Sequence, residues 1–179
     1  MRKYILPFLA GVFPYLLVLV FLYLMWFTPE VVYAALNLNF TGPMLIFCLI
    51  LLLCPILGFV CLMTGLLSTD FSPSLLAKQN LAVKLAHIPF YVVLFLLVFL
   101  AVPLFAPVIF LLDLSVLLLG SSFGIAAIIR ARLNGLISTG QAVLHIILHC
   151  IFVLDVISAV LLWRKLNAAT NHTSVGNGH

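Results

Sequence analysis

Charge is what this chain has least of. Only 7% of its 179 residues are charged, with 8 Lys or Arg against 4 Asp or Glu. A soluble domain dresses its surface with about a quarter charged residues. That excludes a soluble globular fold and turns apolar side chains toward lipid. Basic clusters interleaved with aromatics, the footprint of a nucleic-acid surface, are absent, so no nucleic-acid partner is expected. The cysteines, Cys48, Cys54, Cys61 and Cys150, fall in apolar runs without C-x-x-C or Cys-His spacing. Neither a disulfide framework nor a zinc site is indicated. G-x-S-x-G, H-E-x-x-H and phosphate-binding loops are missing too, and no cofactor is expected. Alternating strands of about ten residues, which a membrane barrel needs, do not occur.

What is present is long and apolar. Tyr15 to Phe27 and Leu45 to Leu53 are unbroken apolar runs. In lipid every backbone donor and acceptor must be paired internally, so these runs are helices. The expected fold class is an all-α integral membrane bundle with about five transmembrane helices. Spans of about 20 residues fall at about 4–27, 43–67, 73–102, 107–129 and 139–163. They form a single bundle over 1–165, followed by a polar, disordered tail at 166–179. The first run reaches Phe27, too long for the apolar region of a signal peptide, and reads as a retained anchor. Ser72-Pro73 reads as a helix start, with a capping serine and proline at the first helical position. Leu85 to Leu119 as one helix would measure about 52 Å, too long for a core of about 30 Å. Pro103 and Pro107 therefore mark a hairpin within it.

The distribution of Lys and Arg orients the bundle. With a cytoplasmic N-terminus in the cell membrane, Arg2, Lys3, Lys78, Lys84, Arg130 and Arg132 lie inside, and Arg164 and Lys165 outside. An alternative topology makes one span re-entrant and returns the C-terminus, with its two basic residues, to the cytoplasmic side.

Helical spacing sorts the polar and small residues into faces. Cys54, Gly58, Cys61 and Gly65 share a stripe, as do Asp113, Gly120, Gly124, Ala127 and Ala131. Small residues at these intervals let helices approach closely in membranes. Asn80, Lys84, His87 and Tyr91 share a stripe of the third span. In the fifth, Gln141, His145, His149, Asp155 and Ala159 fall within an arc of about 120°. A membrane aspartate costs about 2.5–3.5 kcal/mol and faces protein or a cavity. The candidate polar track for a proton or ion is Asp113, Asp155, His149, His145 and His87. Asp113 and Asp155 are expected at one depth and close together. The bland reading pairs each with its own neighbour, Ser115 or Ser158. His145 and His149 have the spacing of a helical metal pair, with Asp155 or His87 as third ligand, but no intervening H-E-x-x-H glutamate. Lys84 and Arg130 read as anchors at the interface.

Lys84-Leu85-Ala86-His87-Ile88-Pro89-Phe90-Tyr91 and Phe152-Val153-Leu154-Asp155-Val156-Ile157-Ser158-Ala159 resemble an uncharacterised family of small polytopic bacterial membrane proteins of unknown function. That resemblance implies a fold and no activity. Size, basicity and helix count also resemble the substrate-binding subunits of energy-coupling-factor vitamin importers. Those carry an AxxxA packing motif in the first helix. Here Ala127 and Ala131 have that spacing in the fourth. The leading functional expectation is a transport or membrane-embedded binding protein built on the Asp/His track, with the lipid bilayer as its surroundings. The second is an accessory subunit packed against other membrane subunits. The third is an intramembrane metal-dependent enzyme.

Overall fold

The computed structural model describes residues 2–26, 49–100, 106–149 and 152–176. The start of the second expected span at Pro43, the Pro103 turn, Cys48 and Cys150 lie outside the described residues. Among the described residues six helices follow one another: α1 (Arg2–Trp26), α2 (Leu53–Leu67), α3 (Pro73–Leu100), α4 (Ala106–Leu133), α5 (Thr139–His149) and α6 (Phe152–Gly176). The fold is all-α, with no strand among the described residues. Three of the described stretches are long and apolar enough to cross a membrane: Leu49–Leu67, Pro73–Leu96 and Phe110–Leu133. Tyr4–Val20 is a shorter apolar helix.

The helix ends are written in local chemistry. Ser72 Oγ accepts the Leu75 amide at 3.2 Å, and Pro73 needs no partner at the first helical position. α4 closes on Gly135 in the left-handed region (φ 70°). There the Leu136 amide reaches the Ala131 carbonyl at 2.9 Å and the Gly135 amide reaches Arg132 at 3.1 Å. Arg130 donates to the carbonyls of Gly65 (3.1 Å) and Ser68 (2.6 Å), closing the C-terminal end of α2. α5 opens on a reciprocal cap. The Gln141 amide donates to Ser138 Oγ (3.3 Å), and the Ser138 amide to Gln141 Oε1 (3.2 Å).

α2 and α4 run parallel and touch through glycines. A Cβ on Gly58 would stand 3.3 Å from Leu119 Cα, and one on Gly65 2.8 Å from Ala126 Cβ. Cys54 and Cys61 are buried on the same seam as free thiols. α1 and α3 also run parallel, joined by a seam that proline creates. Pro14 lies inside α1 and has no amide to give the Ala10 carbonyl one turn back. His87 of α3 donates from Nε2 to that carbonyl at 3.0 Å. In return Tyr15 of α1 donates its hydroxyl to the Ala86 carbonyl, in the turn preceding Pro89.

The expected fifth span is where sequence and structure part. Residues 139–163 form no single crossing helix. α5 and α6 lie side by side, antiparallel. His145 Nδ1 is 2.8 Å from Ser158 Oγ, and Lys165 Nζ donates to Gln141 Oε1 at 2.6 Å. In one straight helix His145 and Ser158 would be about 20 Å apart. No glycine or proline stands between His149 and Phe152 to announce the turn. What drives it is tertiary: reversal lays Asp155 against His149 and Lys84, where a straight helix would carry it away from both. Arg132 meets Thr139 and Lys165 meets Gln141, so the loop after α4 and the chain around Lys165 sit at one end of the bundle. α6 continues through Leu166, which is fully buried, to Gly176.

Candidate functional site

α5 ends deep in the bundle, at buried His149. α5 has 11 residues and spans about 16 Å, roughly half a hydrocarbon core of about 30 Å. Its last described residue, His149, abuts the middle of α4. Ser121 donates to the His149 carbonyl at 3.4 Å, and a Cβ on Gly124 would come within 2.7 Å of His149 Nε2. Asp155, in the first turn of α6, forms an ion pair with Lys84 of α3. The same carboxylate oxygen is 2.5 Å from His149 Nδ1. Lys84 Nζ also reaches Ser121 Oγ at 3.4 Å. Four helices thus contribute to one cluster, and the side chains of Lys84 and Asp155 are only 3% and 5% exposed.

The cluster suits the helix ends that frame it. The carbonyls at the C-terminal end of α5 carry partial negative charge and the amides at the N-terminal end of α6 partial positive charge. Asp155 stands in the first turn of α6, and Lys84 approaches the end of α5 through Ser121. With the carboxylate against Nδ1, that nitrogen is the donor in neutral His149, and Nε2 keeps its lone pair. Nε2 is buried and has no partner among the described residues; neither has either amide atom of Asn80. The two side chains face each other over Gly124, where an added Cβ would stand 2.8 Å from Asn80 Nδ2. Glycine is needed there for the approach of two polar groups as well as for helix packing.

The other candidates divide. His87 is fully buried on the seam with α1, and its donation to Ala10 leaves Nδ1 as an acceptor with no partner among the described residues. Gly120 faces that ring, with a Cβ falling 3.2 Å from His87 Nδ1. His145 is half-buried on Ser158, one turn below the cluster. Asp113 lies eight residues before Ser121 on α4, about 12 Å along the helix, and its Oδ1 is buried without a hydrogen-bond partner among the described residues. His145 Nδ1 lies on Ser158 and His149 Nδ1 on Asp155. Among the described residues no three His, Cys, Asp or Glu side chains converge as a metal site would require.

Lys84 is the residue that sequence reasoning misplaced. It is no interface anchor but the cation of the site, 2% exposed. The signal was its position: eleven residues into a helix starting at Pro73, about 16 Å from that helix's end. Asn80 shares the helix stripe of Lys84 and His87 in the sequence, but its place beside the cluster, like that of Ser121, depends on α5 folding back.

Among the described residues, fold and site together define an all-helical bundle with three helices long and apolar enough to cross a membrane, and with a buried Lys–Asp–His cluster where α5 and α6 meet. The chain belongs to a family of unknown function (DUF6652), whose model matches residues 3–168. No curated protein and no solved structure matches it.

Proposed function

We propose that the chain is a multi-pass cell-membrane protein that binds and moves a small polar or charged solute at the turn of a re-entrant hairpin. Both termini then lie on the cytoplasmic side. This orientation places Lys78, Arg130, Arg132, Arg164 and Lys165 together at one end, as the positive-inside rule asks. The observation that carries the reading is the Lys84–Asp155–His149 cluster. Chain ends at membrane depth are tolerated only where protein buries them or a cavity is lined. In transporters such broken helices hold the substrate near the midplane. A hairpin needing only anchorage is tied more cheaply by apolar contacts than by a buried ion pair, whose desolvation offsets much of its attraction.

The accessory-subunit reading draws less support. Gly58, Gly65, Gly120 and Gly124 all meet other helices of this same chain, so these small-residue faces are not open to a second subunit. Reconstitution in liposomes enclosing a pH-sensitive dye tests the proposal. Solute- or ion-dependent internal pH change is expected from the wild type and should vanish in Asp155→Asn. Wild-type vesicles no more permeable than protein-free ones, across ammonium, alkali and small organic solutes, would sink it.

A further inference from the structure

The two polar contacts of the Lys84 ammonium describe a second ligand. Its Nζ is held by the Asp155 carboxylate and by Ser121 Oγ. Ser121 in turn donates to the His149 carbonyl at the end of α5. Carboxylate, hydroxyl and a helix-terminal carbonyl are hard oxygen donors, and the C-terminal end of a helix favours positive charge. The ammonium arrives there on a four-carbon stem from α3, a tethered point charge able to turn about several bonds. Asn80, 0% exposed and on the same face of α3 one turn away, has both amide atoms without a partner among the described residues. His149 Nε2 beside it is equally unpartnered. A salt bridge serving only to fix the hairpin would not surround itself with unpaired polar atoms, each of which costs stability when buried.

We infer that Asp155, Ser121 and the end of α5 form a binding site for a small monovalent cation, ammonium or an alkali ion, and that Lys84 occupies it as a built-in competitor. This rests on reading the cluster as a membrane-embedded binding site and names what that site takes. Entry of the cation requires the ammonium to leave Asp155. Asn80 and His149 lie next to the site and supply polar atoms for the rearranged state. The competitor keeps the site neutral when no cation is bound, so that a bare carboxylate is never left in the bundle.

The test removes the competitor. Lys84→Met is purified in detergent at pH 8 in N-methylglucamine chloride and titrated with ammonium, sodium or potassium chloride at constant ionic strength. A saturable rise in melting temperature is expected, half-complete at a concentration at least about tenfold below that for the wild type, since one competing charge is gone. The rise should be absent from Lys84→Met/Asp155→Asn. A Lys84→Met protein indifferent to all three cations, or an equal response in the double variant, overturns the inference. Should Lys84→Met be recovered unfolded, a monodisperse peak restored by adding one of the cations supports the site, and failure of all three overturns it. Lys84→Gln, which keeps a hydrogen-bonding stem, is read by the same criteria. Cation binding by Lys84→Met without wild-type flux in vesicles would defeat the transport reading alone. Asp155-dependent flux without cation binding would defeat this inference alone.

Discussion

The Lys84–Asp155 pair makes a quantitative demand on stability. Both side chains are nearly sealed from solvent. At contact, with an effective dielectric near 20, their attraction is about 4 kcal/mol, and removing one partner of such a pair costs about 3–5 kcal/mol. The two single variants should nevertheless differ. Asp155→Asn leaves the ammonium with Ser121 as its one remaining named partner, and Ser121 holds no charge to offset it. Lys84→Met leaves the carboxylate against His149, 2.5 Å away, which can take up a proton and supply the missing positive charge. Asp155→Asn should therefore be the costlier by about 1.4 kcal/mol or more, one tenfold change in equilibrium. The double variant Lys84→Met/Asp155→Asn carries no net buried charge and should recover most of the loss, giving a coupling of about 2–3 kcal/mol. Thermal unfolding in detergent, in N-methylglucamine chloride so that no small cation enters, reads all four proteins. Additive losses would refute the pair. Equal single losses would refute the role given to His149.

Three further outcomes can be checked. Gly124→Ala should lower the melting temperature, because a Cβ there falls 2.7 Å from His149 Nε2 and overpacking costs about 1–3 kcal/mol; Gly140→Ala, with nothing within 4 Å, should be neutral or stabilising. With the native cysteines replaced, Asn134→Cys and Asn167→Cys, both exposed, should label from the same side of sealed vesicles, and labelling from opposite sides would refute the hairpin. Pro14→Ala restores an amide to the Ala10 carbonyl, so His87→Leu should cost about 1 kcal/mol less in that background than in the wild type; equal costs would refute the proline seam.

Much of the frame was legible in the sequence because membrane helices announce themselves locally. Apolar length located α1, α3 and α4, and Ser72-Pro73 marked the start of α3. Gly58, Gly65, Gly120 and Gly124 stood out by helical spacing, and each abuts another helix. The hairpin was not legible. From Thr139 to Trp163 the sequence has the length and hydropathy of one span, and nothing in His149-Cys150-Ile151-Phe152 breaks a helix. Lys84, which Asp155 meets where α5 and α6 lie antiparallel, stands more than fifty residues upstream, and local pattern carries no information across that distance. Read as one straight span, residues 139–163 leave Lys84 as an anchor at the interface; folded back, they bring Asp155 against it.

A chain that pays the desolvation of a lysine and an aspartate in an apolar bundle could have placed leucines there and continued as one straight helix. Two features explain why it turns instead. Asp155 and Lys84 complement the opposed helix ends at the turn, which lowers the cost of ending two helices at that depth. That much is structural and would hold for a passive anchor. The second feature is not: His149 Nε2, Asn80 and His87 Nδ1 are buried on the α3–α4 side of the cluster without partners among the described residues, and glycine stands opposite each. Gly124 faces Asn80 and His149, and Gly120 faces His87. Were rigidity the only requirement, closer packing by larger residues with apolar partners would serve better. Glycine at both places preserves the approach of polar atoms that the resting arrangement leaves unpaired, and such atoms are of use to a site whose hydrogen bonds change as a charge enters or leaves.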